Sequence, residues 1–195
     1  MKLLRQMLTN PRQTGAIANT SPKLSRLIAD MANLDQKNCV VELGAGTGVF
    51  TREIVKRISS QCTFFSLEIN PILAKETQNN CPSANIFCDS AENIQTYLSS
   101  YEKTSCDCII SGLPWGVFEF SLQKQLLHTI YQSLDNGGEF LTIALLPGLL
   151  FPPGKRFRSL LDQTFSSVTK SHIVWQNLPP GFIYHCKKEK GALNG

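Results

Sequence analysis

The sequence has no apolar run long enough to cross a bilayer. Its longest apolar stretch, residues 140–151, covers about twelve positions and contains Pro147 and Gly148, whereas a membrane-spanning helix needs about 20. Residues 1–20 also lack the continuous apolar segment and the small-residue cleavage site of a secretory signal. These absences predict a protein that does not span a membrane and that stays in the cytoplasm.

The sequence also lacks the cysteine patterns of a disulfide framework or a zinc site. Its 7 cysteines are odd in number, form no C-x-x-C pair and have no histidine at metal-ligand spacing. Most fall inside apolar, strand-like runs, as Cys39, Cys88, Cys106 and Cys108 do, and an unpaired cysteine there behaves as a small buried hydrophobe. We therefore expect reduced, unreactive thiols and no metal site.

Charge is distributed unevenly along a chain of single-domain size. The 195 residues are 42% hydrophobic, which is enough for a full-sized core and predicts one domain over residues 1–195. Residues 1–29 hold five Lys or Arg and no acid, residues 30–140 hold seven basic and thirteen acidic residues, and residues 141–195 hold seven basic and two acidic ones. Basic ends suit a polyanionic partner, either nucleic acid or an anionic membrane surface, and they also fit lysines that only maintain solubility.

Short apolar runs alternate with helical stretches along the chain. The runs that predict strands are residues 39–43, 63–69, 85–88, 106–111, 139–146, 171–175 and 182–186. Helices are predicted at 22–33, 48–60, 71–80, 91–100 and 119–134, the first with Ser21 as N-cap and Pro22 at its first position. This alternation predicts a doubly wound α/β fold with a parallel sheet covered on both faces. The connection between the last two runs is too short for a crossover helix, which predicts an antiparallel hairpin at the sheet edge.

A glycine-rich turn follows the first predicted strand. Gly44, Gly46 and Gly48 stand where that strand gives way to the next predicted helix. Glycines there let the backbone turn sharply and approach a ligand, and free N–H groups at a helix start favour polar or anionic groups. The spacing departs from the dinucleotide fingerprint G-x-G-x-x-G, because Val49 stands three residues after Gly46. A nicotinamide cofactor is therefore the poorer choice.

Three acidic residues accompany the glycines. Glu42 lies two residues before the first glycine, Glu68 ends the second predicted strand and Asp89 ends the third. An acid that ends the second strand accepts hydrogen bonds from ribose hydroxyls, and one at the end of the third can hold an adenine amino group. Glycines and acids together predict a nucleoside site. The alternatives are solvated strand ends and, for Asp89, a cap for the helix that begins near Ala91.

The fourth predicted strand ends in a turn, residues 111–115, whose chemistry suits an amine. In doubly wound sheets the chemistry lies outside the carboxyl ends of the strands. Pro114 fixes the turn, the Ser111 hydroxyl and nearby carbonyls can accept hydrogen bonds from an amine, and Trp115 offers a π face to a nitrogen that becomes cationic. The alternative is an ordinary Gly-Pro turn with the tryptophan packed in the core.

These motifs resemble those of class I S-adenosylmethionine-dependent methyltransferases. Residues 42–48, Glu-Leu-Gly-Ala-Gly-Thr-Gly, are similar to the first motif of that group, and the strand–helix order through residue 190 resembles its Rossmann-like seven-stranded fold. The turn at 111–115 is similar to the (N/D/S)-P-P-(Y/F/W) motif of amino-group methyltransferases. The resemblance implies an enzyme that binds S-adenosyl-L-methionine and releases S-adenosyl-L-homocysteine.

The resemblance also implies roles for particular residues. The cofactor site would comprise Glu42, Gly44, Gly46, Gly48, Glu68, Asp89, Ala91 and Ser111. The catalytic point would comprise Ser111, Pro114 and Trp115, joined by Tyr184 if that residue faces the pocket rather than serving as an ordinary sheet tyrosine.

A longer resemblance is to the bacterial phospholipid N-methyltransferases, which convert phosphatidylethanolamine stepwise to phosphatidylcholine. It covers nearly the whole chain through residues 10–17, 42–50, 111–115, 155–158 and 177–184, in the same order. It implies an N-methyltransferase for a phospholipid amine on the inner face of the membrane, with no stable nucleic-acid partner. Residues 1–34 would form an N-terminal helical, membrane-contacting lid before a Rossmann-like core at 35–190. The residues expected to contact substrate or membrane are Arg5, Arg12, Gln13, Lys155, Arg156 and Arg158.

Two segments carry the membrane argument, and other functions stay open. Residues 3–12 form a short amphipathic basic segment, and residues 145–154 form an apolar loop before clustered cations, which suits insertion into an anionic interface. The alternative for the first segment is a helix packed on the domain, and for the second it is an extension of the fifth strand followed by a helix start. The alternatives are adenine-N6 methylation of ribosomal RNA, N-methylation of a small molecule, and a non-enzymatic module that binds lipid or S-adenosylmethionine. The amine acceptor, the number of methyl groups added and the oligomeric state are left open.

Overall fold

The computed structural model describes residues 20–189, which fold around one seven-stranded sheet. The strands are β1 (Cys39–Leu43), β2 (Thr63–Leu67), β3 (Asn85–Phe87), β4 (Cys106–Ser111), β5 (Leu134–Leu145), β6 (Ser167–Lys170) and β7 (Gly181–Lys187). The α-helices of this range are α1 (Pro22–Met31), α2 (Val49–Val55), α3 (Pro71–Asn80), α4 (Ile94–Ser100), α5 (Phe120–Ser133) and α6 (Pro152–Thr164). Short 3-10 helices cover Leu34–Gln36, Ala91–Asn93, Trp115–Val117 and Leu146–Leu150.

The strand order across the sheet is β3-β2-β1-β4-β5-β7-β6. Strands β1 to β5 are parallel, and β7 runs antiparallel to both of its neighbours, β5 and β6. The predicted Rossmann-like sheet with an antiparallel C-terminal pair is confirmed. After β3 the chain returns to the other side of β1, and this reversal opens a crevice at the carboxyl ends of β1 and β4, where ligands bind in doubly wound folds.

Helices cover both faces of the sheet. Strand β1 is buried along its whole length, and its neighbouring residues Val40 and Val41 belong to two different core clusters, one on each face. Leu24 and Ile28 from α1 pack with Val40, while helices α4 to α6 pack on the face of Val41. Between residues 20 and 189 no helix is long and apolar enough to span a membrane.

Helix α1 begins as the sequence predicts. The Ser21 hydroxyl accepts a hydrogen bond from the Leu24 N–H at 3.3 Å, and Pro22 occupies the first helical position. A further contact comes from far along the chain, since the Ser21 N–H donates to Asn177 Oδ1 at 2.7 Å. The first helix is therefore attached to the connection between β6 and β7.

The predicted strand at 171–175 is wrong. Strand β6 lies earlier, at Ser167–Lys170, and pairs with the second half of β7. Residues 171–180 form the connection instead, with Val174 making a single bridge to Gly181. The edge strand is mostly exposed and carries little apolar signal, whereas the apolar residues that suggested a strand belong to the connection.

Further elements differ from the sequence-based expectation, among them α2, which ends at Val55 instead of at residue 60. Strand β5 begins at Leu134, five residues earlier than predicted, because Leu134 pairs with Cys106 across a register shift before regular pairing starts at Glu139. Helix α6 was expected only as a helix start after an apolar loop. The structure shows a 3-10 turn at Leu146–Leu150 and a full helix from Pro152 whose buried side chains include Phe157 and Leu161.

The cysteines are unpaired, and five of them are buried. Burial raises the pKa of Cys39 and of Cys186 to about 12, which keeps these thiols protonated and unreactive. The expectation of burial is wrong for Cys88, which is exposed because β3 ends at Phe87.

The buried carboxylate of Glu139, where β5 pairs with the last residue of β7, is contacted by two lysines and a histidine. Lys37 Nζ lies 2.9 Å, Lys187 Nζ 3.2 Å and His185 Nε2 3.3 Å from the carboxylate oxygens of Glu139. Burial alone would raise the pKa of Glu139, but the neighbouring His185 and the hydrogen bond from Lys37 outweigh this effect and lower the pKa to about 2. The charged carboxylate therefore stabilises the fold.

Replacing Glu139 by Gln should lower the free energy of unfolding at pH 7 by about 3 kcal/mol, the value of a pKa shift from 4.5 to about 2. This contribution is fully present above pH 4.5 and disappears as the pH falls to about 2. Urea unfolding of both proteins between pH 7 and pH 3 measures the difference, which should shrink with acidification. Asp30→Asn is the control, because its carboxylate pairs with Arg57 while 62% exposed, and it should cost at most about 1 kcal/mol. A constant difference across this pH range would contradict the assignment.

Candidate active site

The glycine loop rises from the carboxyl end of β1 in a conformation that favours glycine. Gly44, Gly46 and Gly48 have φ angles of +81°, +57° and +82°, in the left-handed region that side chains disfavour. The Gly44 N–H donates to the Leu67 carbonyl at 2.8 Å, and the Gly48 N–H donates to the Ala45 carbonyl at 2.9 Å. The loop is thus a fixed turn anchored to the end of β2.

Buried side chains from the neighbouring helices form hydrogen bonds that hold this loop in place. Glu42 is fully buried, and its Oε2 accepts a hydrogen bond from the Thr51 hydroxyl of α2 at 2.7 Å. Burial raises the pKa of Glu42 to about 7, although the Thr51 hydrogen bond lowers it in part. Thr77 of α3 donates its hydroxyl to the Gly46 carbonyl at 2.7 Å. Three elements therefore hold the loop in place.

Glu68 lies at the end of β2 against the open side of the loop. Its Oε2 accepts the Gly46 N–H at 2.9 Å and its Oε1 accepts the Asn70 N–H at 2.8 Å. Burial raises the pKa of Glu68, and the N–H groups of Asn70 and Gly46 partly offset this shift. The two carboxylate oxygens together have four acceptor sites, and the Ile69 N–H is directed at this carboxylate as well, so one site is left for a ligand hydroxyl.

Asp89 is brought beside Glu68 by a shared carbonyl. The backbone N–H groups of Glu68 and Asp89 both donate to the Phe87 oxygen, at 3.0 and 3.1 Å. Asp89 Oδ1 accepts from Asn93 Nδ2 at 2.9 Å, and Oδ2 accepts from the Tyr97 hydroxyl at 3.0 Å. The acids that end β2 and β3 therefore stand next to each other at one edge of the sheet.

The helix cap that the sequence also allowed at Asp89 is made by the next residue. Ser90 Oγ accepts the Glu92 N–H at 3.2 Å, and the following Ala91 is buried at the start of a 3-10 helix. Asp89 instead accepts hydrogen bonds from the Asn93 and Tyr97 side chains and from the Ser90 N–H, the last at 2.7 Å.

The turn after β4 touches the glycine loop directly. The Gly112 N–H donates to the Leu43 carbonyl at 2.9 Å. A Cβ placed on Gly112 would lie 2.7 Å from the Gly44 carbonyl oxygen, and one on Gly44 would lie 3.1 Å from the Leu113 side chain. The two loops that the sequence assigned to cofactor and to methyl transfer are therefore in backbone contact.

Ser111 shapes this turn from inside. Its buried hydroxyl oxygen accepts the Leu113 N–H at 3.2 Å and the Trp115 Nε1–H at 3.1 Å. These two hydrogen bonds use both lone pairs of the oxygen. The predicted hydrogen bond from a substrate amine to this oxygen would have to replace one of them, and it stays a prediction. Trp115 is 2% exposed and stacks on Phe157, with ring centroids 4.5 Å apart. One face of the indole is therefore covered by α6.

A cavity of about 250 Å³ opens beside this turn. Its lining is almost entirely apolar and comes from the turn after β4, the end of β5, the Leu146–Leu150 turn and α6, among them Pro114, Trp115, Ala144, Leu149, Phe151, Phe157, Pro179 and Tyr184. Tyr184 is 1% exposed, and within residues 20–189 its hydroxyl has no hydrogen-bond partner. In the sheet register Thr142 stands between Ser111 and Tyr184, which explains why β7 reaches the site.

The predicted cationic residues occupy different surroundings. Lys155 and Arg156 are exposed near the start of α6, next to the cavity mouth. Arg158 forms two hydrogen bonds with Asp162, at 2.8 and 2.7 Å, and its guanidinium lies 5.3 Å from the centroid of the Tyr184 ring. Arg5, Arg12 and Gln13, expected to contact substrate or membrane, lie outside the described residues.

Several residues of the site were not found by sequence reasoning. Thr51 and Thr77 carry no local signal, since they are polar positions on predicted helices and their burial becomes visible only after folding. Gly112 did carry a signal, because a glycine directly after a buried strand often marks a close backbone approach. The cavity-lining residues from Leu149 onward lie on separate segments of the chain, and no sequence pattern indicates that these segments meet.

Comparisons with known proteins agree with this geometry. A sequence model described as ribosomal RNA adenine dimethylase matches residues 14–148. An ornithine lipid N-methyltransferase from Singulisphaera acidiphila is 30% identical over 183 residues, which are 91% of this chain and 90% of that protein. The chain belongs to the ribosomal RNA adenine dimethylase family. It is an S-adenosylmethionine-dependent methyltransferase.

Two further proteins are similar to this chain, one over a short stretch of sequence and the other in fold. A tRNA1(Val) (adenine(37)-N6)-methyltransferase from Haemophilus influenzae is 30% identical over 86 residues, which are 42% of the present methyltransferase and 37% of that protein. An O-methyltransferase from Bacillus cereus, whose structure contains S-adenosylhomocysteine, aligns with a TM-score of 0.69 over 96% of this chain and 91% of that chain, at 13% identity. The latter shows a shared fold.

The residues present fit S-adenosylmethionine. A glycine loop without side chains leaves room for a ligand, and the adjacent acids Glu68 and Asp89 keep acceptor sites for ribose hydroxyls and an amino group. Glu42 adds a fully buried carboxylate oxygen that has no hydrogen-bond partner within residues 20–189.

Gly112→Ala should weaken cofactor binding by about tenfold or more, because its Cβ would lie 2.7 Å from the Gly44 carbonyl and force the two loops apart. Titration calorimetry with S-adenosylhomocysteine measures the change. Gly148→Ala is the matched control, since a Cβ there has nothing within 4 Å, and it should bind as the native protein does. Equal affinity in both variants would show that the loop contact has no influence on the cofactor.

Proposed function

We propose that this methyltransferase transfers a methyl group to the primary amine of a membrane lipid. The observation that carries the proposal is the apolar cavity of about 250 Å³ that begins at Pro114 and Trp115, beside the glycine loop. An acyl chain can be buried in such a lining, whereas a polar nucleobase or small amino metabolite would lose its hydrogen bonds to water there.

Part of the cavity lining lies beyond the stretch of the chain that the family model matches. That match ends at residue 148, while Leu149, Phe151, Phe157 and Tyr184 of the cavity follow it. The ornithine lipid N-methyltransferase aligns with 91% of the chain, and its alignment therefore continues past residue 148. Ornithine lipids and phosphatidylethanolamine, the substrate that the sequence predicts, both combine acyl chains with a primary amine, so we infer a lipid amine as the shared substrate class.

In this proposal the chain contributes positioning rather than a strong base. S-adenosylmethionine supplies a methyl group on a positively charged sulfur, ready for in-line displacement by an amine. Glu68 and Asp89 accept hydrogen bonds from the ribose and adenine, and the glycine loop holds the rest of the cofactor against the turn after β4. The neutral amine nitrogen forms the new bond to carbon as the carbon–sulfur bond breaks, and its extra proton is then lost to water. Holding both reactants in line lowers the barrier without further chemistry.

The location follows from the surface around the cavity mouth. Leu150 and Phe151 are 77% and 59% exposed, and the exposed cations Lys155 and Arg156 follow on α6. Apolar residues next to cations favour an anionic bilayer interface. We infer that the enzyme associates peripherally with the membrane, as the sequence predicts.

Adenine-N6 methylation of RNA is the second candidate, because the matching family model is described as ribosomal RNA adenine dimethylase and a tRNA adenine-N6 methyltransferase aligns over 86 residues at 30% identity. Incubation with labelled methyl donor and separate acceptors distinguishes the two. Vesicles containing ornithine lipid or phosphatidylethanolamine should become labelled, while ribosomal RNA, tRNA and a panel of small polar amines should not. Labelled RNA with unlabelled lipid would overturn the proposal.

Ala144→Phe tests whether the cavity receives the substrate. The added ring would fill part of the cavity that Ala144 lines, so lipid turnover should fall by about tenfold or more while cofactor affinity stays unchanged. Thr169→Phe is the control, because it introduces the same ring at an exposed position on edge strand β6. Unchanged kcat/KM for the lipid in Ala144→Phe would show that the substrate binds elsewhere.

Tyr184→Phe tests the unpartnered hydroxyl in the cavity. Removing it breaks no hydrogen bond within residues 20–189, so the free energy of unfolding should not fall. If the hydroxyl contacts the bound lipid headgroup, kcat/KM should drop by about tenfold, the usual value of a hydrogen bond to a charged or polar group. Urea unfolding and lipid turnover, measured on the same preparation, separate the two effects. Native turnover in this variant would remove Tyr184 from the substrate site.

A further inference from the structure

The connection between β6 and β7, residues 171–180, displays two large apolar side chains. Trp175 is 67% exposed and Leu178 is 79% exposed. They stand only three positions apart on a connection that the sequence had assigned in part to a strand. Exposing two large apolar side chains to water is unfavourable, and such a patch is typical of a surface that binds a partner.

This connection is held rigidly at its base. Asn177 is 1% exposed, its Oδ1 accepts the Ser21 N–H at 2.7 Å, and its Nδ2 donates to the Pro179 carbonyl at 2.7 Å. The Asn177 N–H also donates to the Val174 carbonyl at 3.2 Å. Trp175 and Leu178 are therefore presented to solvent by a backbone that is fixed on both sides.

The connection is continuous with the cavity mouth. The Leu146 N–H donates to the Pro180 carbonyl at 2.9 Å, which joins the connection to the Leu146–Leu150 turn. Pro179, the residue after Leu178, lines the same cavity as Phe151. The two exposed apolar segments therefore flank one entrance.

Positive charge borders the connection as well. Lys23 and Arg26 of α1 line a groove together with His172 and Gln176. The acid in this groove, Asp30, is paired with Arg57 at 3.0 Å. Among residues 20–189 no acid pairs with the exposed Lys23 in this groove, and the Arg26 side chain there donates to a backbone carbonyl, that of Pro22, rather than to an acid.

We propose that Trp175 and Leu178 insert into the interface of an anionic bilayer and form, with the Leu150–Phe151 side of the entrance, a two-sided membrane contact around the cavity mouth. Tryptophan favours the interfacial zone, where its ring is buried and its N–H stays hydrated, and the neighbouring cations attract acidic headgroups. The inference rests on the proposed function, since it lets a lipid enter the cavity without leaving the bilayer.

Tryptophan fluorescence tests this directly. The chain has 2 tryptophans, and Trp115 is 2% exposed, so a change on adding vesicles reports mainly on Trp175. Vesicles rich in phosphatidylglycerol should shift the emission to shorter wavelength, and brominated acyl chains should quench it. Trp175→Phe should abolish both responses. Absence of a shift with the native protein bound to vesicles would overturn the proposal.

Vesicle sedimentation provides the quantitative test. The double variant Trp175→Ser/Leu178→Ser should partition onto phosphatidylglycerol vesicles about tenfold or more weakly than the native protein, because two large apolar side chains are no longer buried. Ile72→Ser is the matched control, since Ile72 is 75% exposed but lies on α3, across the sheet from β7, and it should bind normally. An equal loss in both variants, or equal binding of the native protein to neutral phosphatidylcholine vesicles, would overturn the proposal.

These measurements do not depend on turnover. If lipids are not methylated but Trp175 still enters the bilayer, the proposed function fails while the membrane surface stands. If lipids are methylated in detergent micelles but the double variant partitions like the native protein, the proposed function stands and the proposed membrane contact of Trp175 and Leu178 fails.

Discussion

The site depends on how closely two backbones approach at the carboxyl ends of β1 and β4. The Gly112 N–H donates to the Leu43 carbonyl, and neither Gly112 nor Gly44 has room for a side chain against the other loop. This contact fixes the distance between the loop that faces the cofactor and the turn that faces the substrate. Buried side chains of Thr51, Thr77 and Glu68 hold the glycine loop in the conformation that permits the approach, and the Ser111 hydroxyl holds the turn after β4.

One part of the methyltransferase matches the family model, and another part follows that match in the chain. The half built from β1 to β4 matches the family model and contains the glycines and acids of the nucleoside site. The residues that follow this match, in α6 and β7, complete an apolar cavity that includes Tyr184, whose buried hydroxyl is unpartnered within the described residues. Under the proposed function, substrate preference is expressed at this cavity.

Sequence reasoning predicted those parts of the molecule that local pattern controls. Strands β1 and β4 and helix α3 have the predicted bounds, because each apolar run or capped helix is bordered by residues that end it. Edge strand β6 was missed because its exposed Ser-Val-Thr-Lys lacks apolar alternation, and α6 was obscured by the prolines and glycines at its start. At the site, topology alone brings Glu68 and Asp89 together, whereas the stacking of Trp115 on Phe157 joins residues 42 positions apart and follows only from packing.

The attachment of Asn177 to Ser21 spans 156 positions of the chain. One amide side chain closes the start of the first helix and, through Pro179, also sets the course of the connection that borders the entrance. Loss of that amide would release both segments together. A genetic screen would therefore record a single phenotype at this position for what are two separate structural failures.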